Sequence, residues 1–435
     1  MGRGIVAPGE ARLGKARGLS HSIAKGDFAM ADTAPDFDQQ ELRDFTEQAK
    51  AWFQENTPRE VDFMLPLTFM EVGTDQQFDF LRDWQNKVYE AGYLGAHWPR
   101  EYGGGGHHRA FQDAATKIMA QERTPIMLNA IGLNWTGPLL IDRGSEAEKQ
   151  SYIKGILSAE TIWCQGFSEP EHGSDLGNAQ TRAVRDGDDY VINGSKIWTT
   201  QGNYADYMIL LARTNPDAEN KYKGLSFFLA PMKNDGVETV PIRKLTGEYG
   251  FTQTFFTDAR IPADCLMGQE GEGWLIAMQT LEYERGARSG QAGGHVMMMA
   301  DPTDILGLAR EAKLNGKPAI EDPAVQEELV ALMTEARALG LNSRRDKIQP
   351  LAQDRPMSLA LGSKLASTDF YQRLNAFAIS LQGTRAAYYV GDDSAHDNGI
   401  WQRGYLNSFS ATIGGGTSQI QRNIIGEHVL GLPKS

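Results

Sequence analysis

Two stretches of this chain carry residue types suited to acid–base chemistry beside a bulky ligand. One is Leu281-Glu282-Tyr283-Glu284-Arg285. The other is Ile413-Gly414-Gly415-Gly416-Thr417-Ser418-Gln419-Ile420-Gln421-Arg422. On a helix, Glu282 and Glu284 point about 200° apart, so only one of them can face a given substrate. The segment before them holds Trp274, Leu275, Ala277, Met278 and Leu281 and is expected to be buried. A carboxylate entering an apolar pocket has its pKa raised toward neutrality, which suits a general base. The plainer alternative is an exposed Glu284–Arg288 pair at i,i+4, worth a few tenths of a kcal/mol. The three consecutive glycines at 414–416 let backbone approach a bulky ligand closely, with Thr417 and Gln419 beside them.

These residues need a large scaffold. At 435 residues, two or three domains are expected. The pattern is helical from Phe37 to about Ala159. Asp38 reads as a cap, and Leu42, Phe45, Ala49 and Phe53 recur at helical spacing. Phe78, Leu81, Trp84 and Val88 suggest a second helix, and the glycine run at 103–106 reads as a structural loop without a P-loop lysine. From about Thr161 to Gly268 the period changes to that of short strands. Asp186-Gly187 and Asn193-Gly194 are both read as hairpin turns. Helical patterning resumes at Trp274, with an interruption around Gly290–Pro302. The expected domains are therefore a disordered extension (1–36), an N-terminal α-helical domain (37–160), a middle β-domain (161–268) and a C-terminal α-helical domain (269–435).

Composition narrows the function classes. A net charge of −13 argues against a general nucleic-acid or membrane-surface binder. No run of 18 or more apolar residues occurs, so no spanning helix is read. Cys164 and Cys265 cannot build a disulfide framework, and a reducing compartment is expected. The adjacent His107 and His108 make a poor metal site, and no metal is expected. Residues 1–29 are basic and rich in glycine, and Met30 looks like a natural start. The expected location is the bacterial cytoplasm, or the mitochondrial matrix if that segment is a transit peptide.

Three segments carry a family resemblance. They are Gly166-Phe167-Ser168-Glu169-Pro170-Glu171-His172-Gly173-Ser174-Asp175, then Lys196-Ile197-Trp198-Thr199-Thr200, and the glycine run with Gln421-Arg422-Asn423-Ile424-Ile425-Gly426. Together they resemble the acyl-CoA dehydrogenases over nearly all of residues 37–433. The resemblance implies an α+β fold with an N-terminal helical domain, a middle antiparallel β-domain and a C-terminal domain of the four-helix-bundle type. It implies FAD as cofactor, an acyl-CoA substrate and an electron-transfer flavoprotein as acceptor. It also implies a homotetramer or homodimer, or a mixed oligomer with a homologous subunit.

By resemblance Gln165, Phe167, Ser168, Ser174, Trp198, Thr200, Gly383, Gly415, Thr417 and Gln419 contact the flavin. Ser174, Glu282, Arg285 and Gly416 contact the substrate. Most members carry their catalytic glutamate where this chain has Gly415. A minority carry it before an arginine on an earlier helix, and Glu284 stands there. That loss and gain agree, and they make Glu284 the expected base. The C-terminal ending is similar to a bacterial subgroup acting on steroid, terpenoid and other bulky acyl-CoA esters. Gly286, Ala287, Ser289 and Gly290 are expected to leave room for a wide acyl group. Two features depart from the family pattern. An arginine expected to reach a neighbouring subunit's flavin is replaced by Ala312, with Lys313 or Lys317 as substitutes. Gln382 stands for a glycine before Gly383 and is expected to crowd the adenine side.

Overall fold

The computed structural model describes residues 37–284, 290–294, 303–345 and 356–433. The expectation of a disordered segment over residues 1–36 lies outside them. The N-terminal elements are helices α1 (Gln39–Asn56), α2 (Asp75–Glu90), α3 (Arg109–Gln121), α4 (Gly137–Arg143) and α5 (Glu146–Ser158). Their starts follow local chemistry. The Thr74 side chain caps α2 by accepting from Gln77 N–H. Ser145 and Glu148 form a reciprocal capping box on α5. The expected apolar positions Ala49, Phe53, Phe78, Leu81, Trp84 and Val88 are all buried. The glycine loop is a structural turn, because a Cβ on Gly104 would lie 2.3 Å from the Trp98 carbonyl oxygen.

The middle of the chain is an eight-stranded sheet. Its strands are β1 (Trp163–Gly166), β2 (Arg182–Asp186), β3 (Asp189–Thr200), β4 (Tyr207–Arg213), β5 (Leu225–Pro231), β6 (Val237–Ile242), β7 (Phe251–Pro262) and β8 (Leu266–Met267). The order is β6-β7-β3-β2-β4-β5-β8, with β1 added parallel to β4. Asp186-Gly187 does turn the β2–β3 hairpin, with Gly187 at φ +63°. Asn193-Gly194 is not a turn, contrary to the expectation. It is a bulge inside β3, where the register against β7 slips between Ile192 and Gly194. The Asn193 side chain bonds Asp258 instead of closing a hairpin. A Cβ on Gly194 would lie 2.7 Å from the Thr181 backbone, so close strand packing and not turning requires the glycine.

One face of this sheet joins the N-terminal helices in a single core. Ile209, Leu211, Phe227 and Leu229 pack there with Leu81, Trp84 and Trp163. Helix α6 (Gly273–Glu284) belongs to that same core through Ile276, Ala277 and Tyr283. Leu275 was expected to be buried but is 58% exposed, because α6 is apolar around more than the face it packs with.

The C-terminal helices are α7 (Asp304–Glu311), α8 (Pro323–Arg345), α9 (Pro356–Gln382), α10 (Ile400–Ala411) and α11 (Ser418–Ile424). Helices α7 to α10 share a separate core built on Ile305, Leu308, Leu329, Leu332, Leu374 and Trp401. Gln382 is tied to its neighbours by hydrogen bonds. Its side chain is buried, donates to Ala378 O and accepts from Gln402 at 2.9 Å. Ala312 is buried, while Lys313 and Lys317 stand exposed on a short two-stranded ribbon. Buried Glu71 holds α10 to the N-terminal elements, accepting from Arg403 at 2.5 Å and from Asn407. Fixing α10 fixes the start of the glycine turn that follows it.

Candidate active site

The two flavin-type segments, distant in sequence, are stitched together by hydrogen bonds. Ile197 N–H donates to Ser168 O at 2.9 Å. Lys196 Nζ donates to Phe167 O at 3.1 Å and to Glu169 Oε1 at 2.9 Å. Glu169 also accepts from the backbone N–H groups of Gln180 and Thr181. Glu169 and Lys196 are both buried, so this is an interior ion pair whose carboxylate is fully hydrogen-bonded. Burial opposes ionisation of Glu169, but Lys196 and the two N–H donors outweigh it and hold the carboxyl below its usual range. Burial also lowers the Lys196 pKa, and Glu169 only partly restores it.

A pH dependence follows. The folded pKa of Glu169 lies below its unfolded value of about 4.3. Its stabilising contribution is therefore complete above that value and is lost as pH falls through the lower, folded one. Thermal unfolding midpoints should decline below about pH 4. In Glu169→Gln that part of the decline should be absent. Parallel acid profiles for the two proteins would refute this account.

The bulge between Lys196 and Thr199 leaves Trp198 in a left-handed conformation, φ +61°. That is rare for a bulky residue and marks a constrained position. Its indole is 55% exposed and meets Phe251 edge-on at 5.9 Å. A large aromatic turned out of the sheet by backbone strain is an uncovered wall for a flat ring system. Thr200 is buried next to it. The Phe167 side chain is in the core, edge-on to Phe227, and its carbonyl accepts from Lys196. Ser174 is exposed in the loop ahead of Asp175, which is anchored by Lys221 at 3.1 Å.

The second half of the site forms where α6 ends. Gln165, on β1, donates to Glu284 Oε2 at 3.5 Å. A Cβ on Gly415 would lie 3.2 Å from Glu284 Oε1. Gly415 and Gly416 have φ of +65° and +90°, which favours glycine. Gln421 Nε2 donates to Gly415 O at 2.9 Å, and Lys364 Nζ donates to Gly416 O at 2.7 Å. The Thr417 hydroxyl caps α11 by accepting from Ile420 N–H, and Gln419 is exposed beside it. Gln165, Glu284 and Gly415 thus converge on one point. Gly383 does not join them. It lies past the end of α9, roughly 28 Å along that helix from Lys364 at about 1.5 Å per residue.

Glu282 is half-buried on α6. Its expected partner Arg285, and also Gly286, Ala287, Arg288 and Ser289, lie outside the described residues. Gly290 lies beside α4 and α6 at ordinary contact distances. A Cβ there would meet Pro138 at 3.4 Å and Tyr283 at 3.7 Å, because the chain packs back on α4. Lys364 was missed in the sequence, since nothing in its neighbourhood signals a contact with Gly416.

Models of three parts of one family match this chain. They are the acyl-CoA dehydrogenase N-terminal domain over residues 29–160, its middle domain over 164–259 and its C-terminal domain over 271–430. Acyl-CoA dehydrogenase IpdE1 of Mycobacterium tuberculosis is 33% identical over 91% of this chain and 99% of that protein.

The chain belongs to the acyl-CoA dehydrogenase family.

The human mitochondrial short-chain specific acyl-CoA dehydrogenase is 31% identical, over 79% of this chain and 81% of that protein. Among solved structures, the Tcur3481-Tcur3483 steroid ACAD matches with a TM-score of 0.74 at 26% identity, covering 92% of this chain and 99% of that one. The ChsE4-ChsE5 complex from Mycobacterium tuberculosis gives 0.71 at 26% identity, covering 92% and 100%. Membership makes this an enzyme whose cofactor is FAD. The residues present fit that cofactor: an uncovered indole, hydroxyls at Ser168, Ser174 and Thr200, and side-chain-free backbone at Gly415 and Gly416. No helix among the described residues is long and apolar enough to cross a membrane.

Proposed function

We propose that this acyl-CoA dehydrogenase removes the α-proton of an acyl-CoA thioester with Glu284 and releases the trans-2-enoyl-CoA. One observation carries the assignment. The Glu284 carboxylate lies 3.2 Å from the place where a side chain at residue 415 would begin. A glutamate on α6 and a glycine at 415 therefore deliver a carboxylate to the same spot that family members fill from 415. Gln165 steadies the other oxygen. Glu284 itself is half-buried.

Trp198 and Thr200 would cover the flavin ring. Gln165, Ser168, the Phe167 backbone and the 415–419 segment would hold its polar edges, with Ser174 near the pyrophosphate. Bound FAD supplies the acceptor for the hydride that leaves the β-carbon. Ser174, Glu282, Arg285 and Gly416 would hold the CoA ester, and an electron-transfer flavoprotein would take the electrons onward. Gly383 stands too far along α9 to serve the same ring, so it would receive the adenine side of a neighbouring subunit's FAD. That neighbour would be a second copy or a homologous chain. The similar ChsE4-ChsE5 complex supports a homologous chain.

The substrate reading is a bulky, steroid-type acyl-CoA ester, supported by likeness to the steroid ACAD. Anaerobic mixing with a panel of esters tests it. A polycyclic acyl-CoA should bleach the flavin at least about 10-fold faster than butyryl-CoA, the scale of one to two kcal/mol of pocket discrimination. Faster bleaching by butyryl-CoA than by every large ester would overturn it. Rapid reoxidation of the reduced enzyme by air alone would point instead to an oxidase on this fold. A chain that is colourless alone and yellow only with a homologous subunit would make it a component of a mixed oligomer.

A further inference from the structure

Lys364 is reached by neither family motif, yet it adjoins the proposed base. It lies on α9, and its ammonium donates to Gly416 O at 2.7 Å. Its Cε is 3.9 Å from the point where a Gly415 Cβ would stand. Glu284 Oε1 is 3.2 Å from that same point. Both side chains thus come close to one bare Cα, inside the ~10 Å over which charges are felt through salt solution. A cation therefore stands near the proposed base.

We propose that Lys364 is a positioning residue for the dehydrogenation, holding the Gly415–Gly416 turn in place and keeping the Glu284 carboxylate ionised. This rests on the reading of Glu284 as the base. A nearby cation lowers a carboxyl pKa, while partial burial raises it. A base must be deprotonated before the substrate arrives, so the cation extends activity to lower pH. Arg285 and Arg288, next along the chain from Glu284, lie outside the described residues, and the other elements around this end of α6 are the following. Strand β1 contributes the neutral Gln165. The π-turn at Gly132–Thr136 carries no charged side chain. Helix α4 contributes Asp142, which the Tyr283 hydroxyl engages, and Arg143 at its C-terminal end. Glu282 shares α6 but points away from Glu284 by about 200°.

Lys364→Gln tests this, because glutamine keeps an N–H donor for the Gly416 carbonyl and removes the charge. Three quantities are measured: FAD content, KM for acyl-CoA, and the flavin reduction rate at saturating substrate against pH. FAD content and KM should stay near wild type. The acid limb of the reduction profile should move up by about one pH unit, with a roughly 10-fold loss on that limb. Lys364→Arg should restore the wild-type limb. A glutamine variant whose profile superimposes on wild type would overturn the proposal. So would one that purifies without FAD, since Lys364 would then be a structural tie alone. Failure of the underlying reading looks different: near-normal turnover in Glu284→Gln would remove the base itself. An inactive Glu284→Gln beside an unshifted Lys364→Gln would sink only the role of Lys364.

Discussion

Glu284→Gln is expected to abolish nearly all turnover while leaving the protein yellow and able to bind acyl-CoA. Glutamine has the same shape and keeps a partner for Gln165, so packing at the end of α6 should survive. What is lost is the proton acceptor. General-base catalysis is worth about 10²–10⁴-fold, so at least about 2–3 kcal/mol of transition-state stabilisation should disappear. Anaerobic stopped-flow reduction reads this directly. The loss should fall on the reduction rate at saturating substrate and not on KM. A reduction rate within a few-fold of wild type would exclude Glu284, because no other carboxylate among the described residues meets Gly415.

The second large effect concerns stability. Lys196→Met should cost about 3–5 kcal/mol, the penalty for leaving one member of a buried ion pair unpaired. Glu169 would keep its two backbone donors but lose its counter-charge in a site only 6% exposed. The Lys196 bond to Phe167 O would go as well, loosening the join between Ser168 and Trp198. Reduced FAD occupancy should therefore accompany the lower unfolding temperature. The double variant Lys196→Met/Glu169→Leu should regain much of the stability, since apolar replacement of both partners removes the buried charge. If the single variant melts within about 2 °C of wild type, the pair contributes little. If the double variant is worse than the single, the cost lies in packing and not in charge.

Local chemistry was legible in the sequence. Apolar periodicity announced α1 and α2. Asp186-Gly187 announced a hairpin, because a two-residue turn needs positive φ and glycine supplies it. Strand periodicity announced the middle sheet, since alternation follows directly from the pleat. By resemblance, Glu284 before Arg285 together with glycine at 415 singled out the candidate base. These are short-range or type-specific signals, carried by the residues themselves.

Other features were decided only by the folded chain. Asn193-Gly194 has the composition of a turn, but β7 offers it a partner, and strand pairing outweighs local preference. Trp198 reads as a flavin cover by resemblance alone; the bulge that turns it outward depends on the register with β7. Phe167 reads as a ligand contact, yet Phe227 on another strand draws its ring into the core. Gly290 sits beside Pro138 only because the chain returns onto α4. Lys364 had no signal, because its partner lies on backbone that α9 meets only after the C-terminal helices pack. Propensity and motif act over a few residues, and so the sequence alone determined the elements, the family and the candidate base. Which side chains meet across those elements depends on burial and register summed over distant segments, and only the tertiary structure decided that.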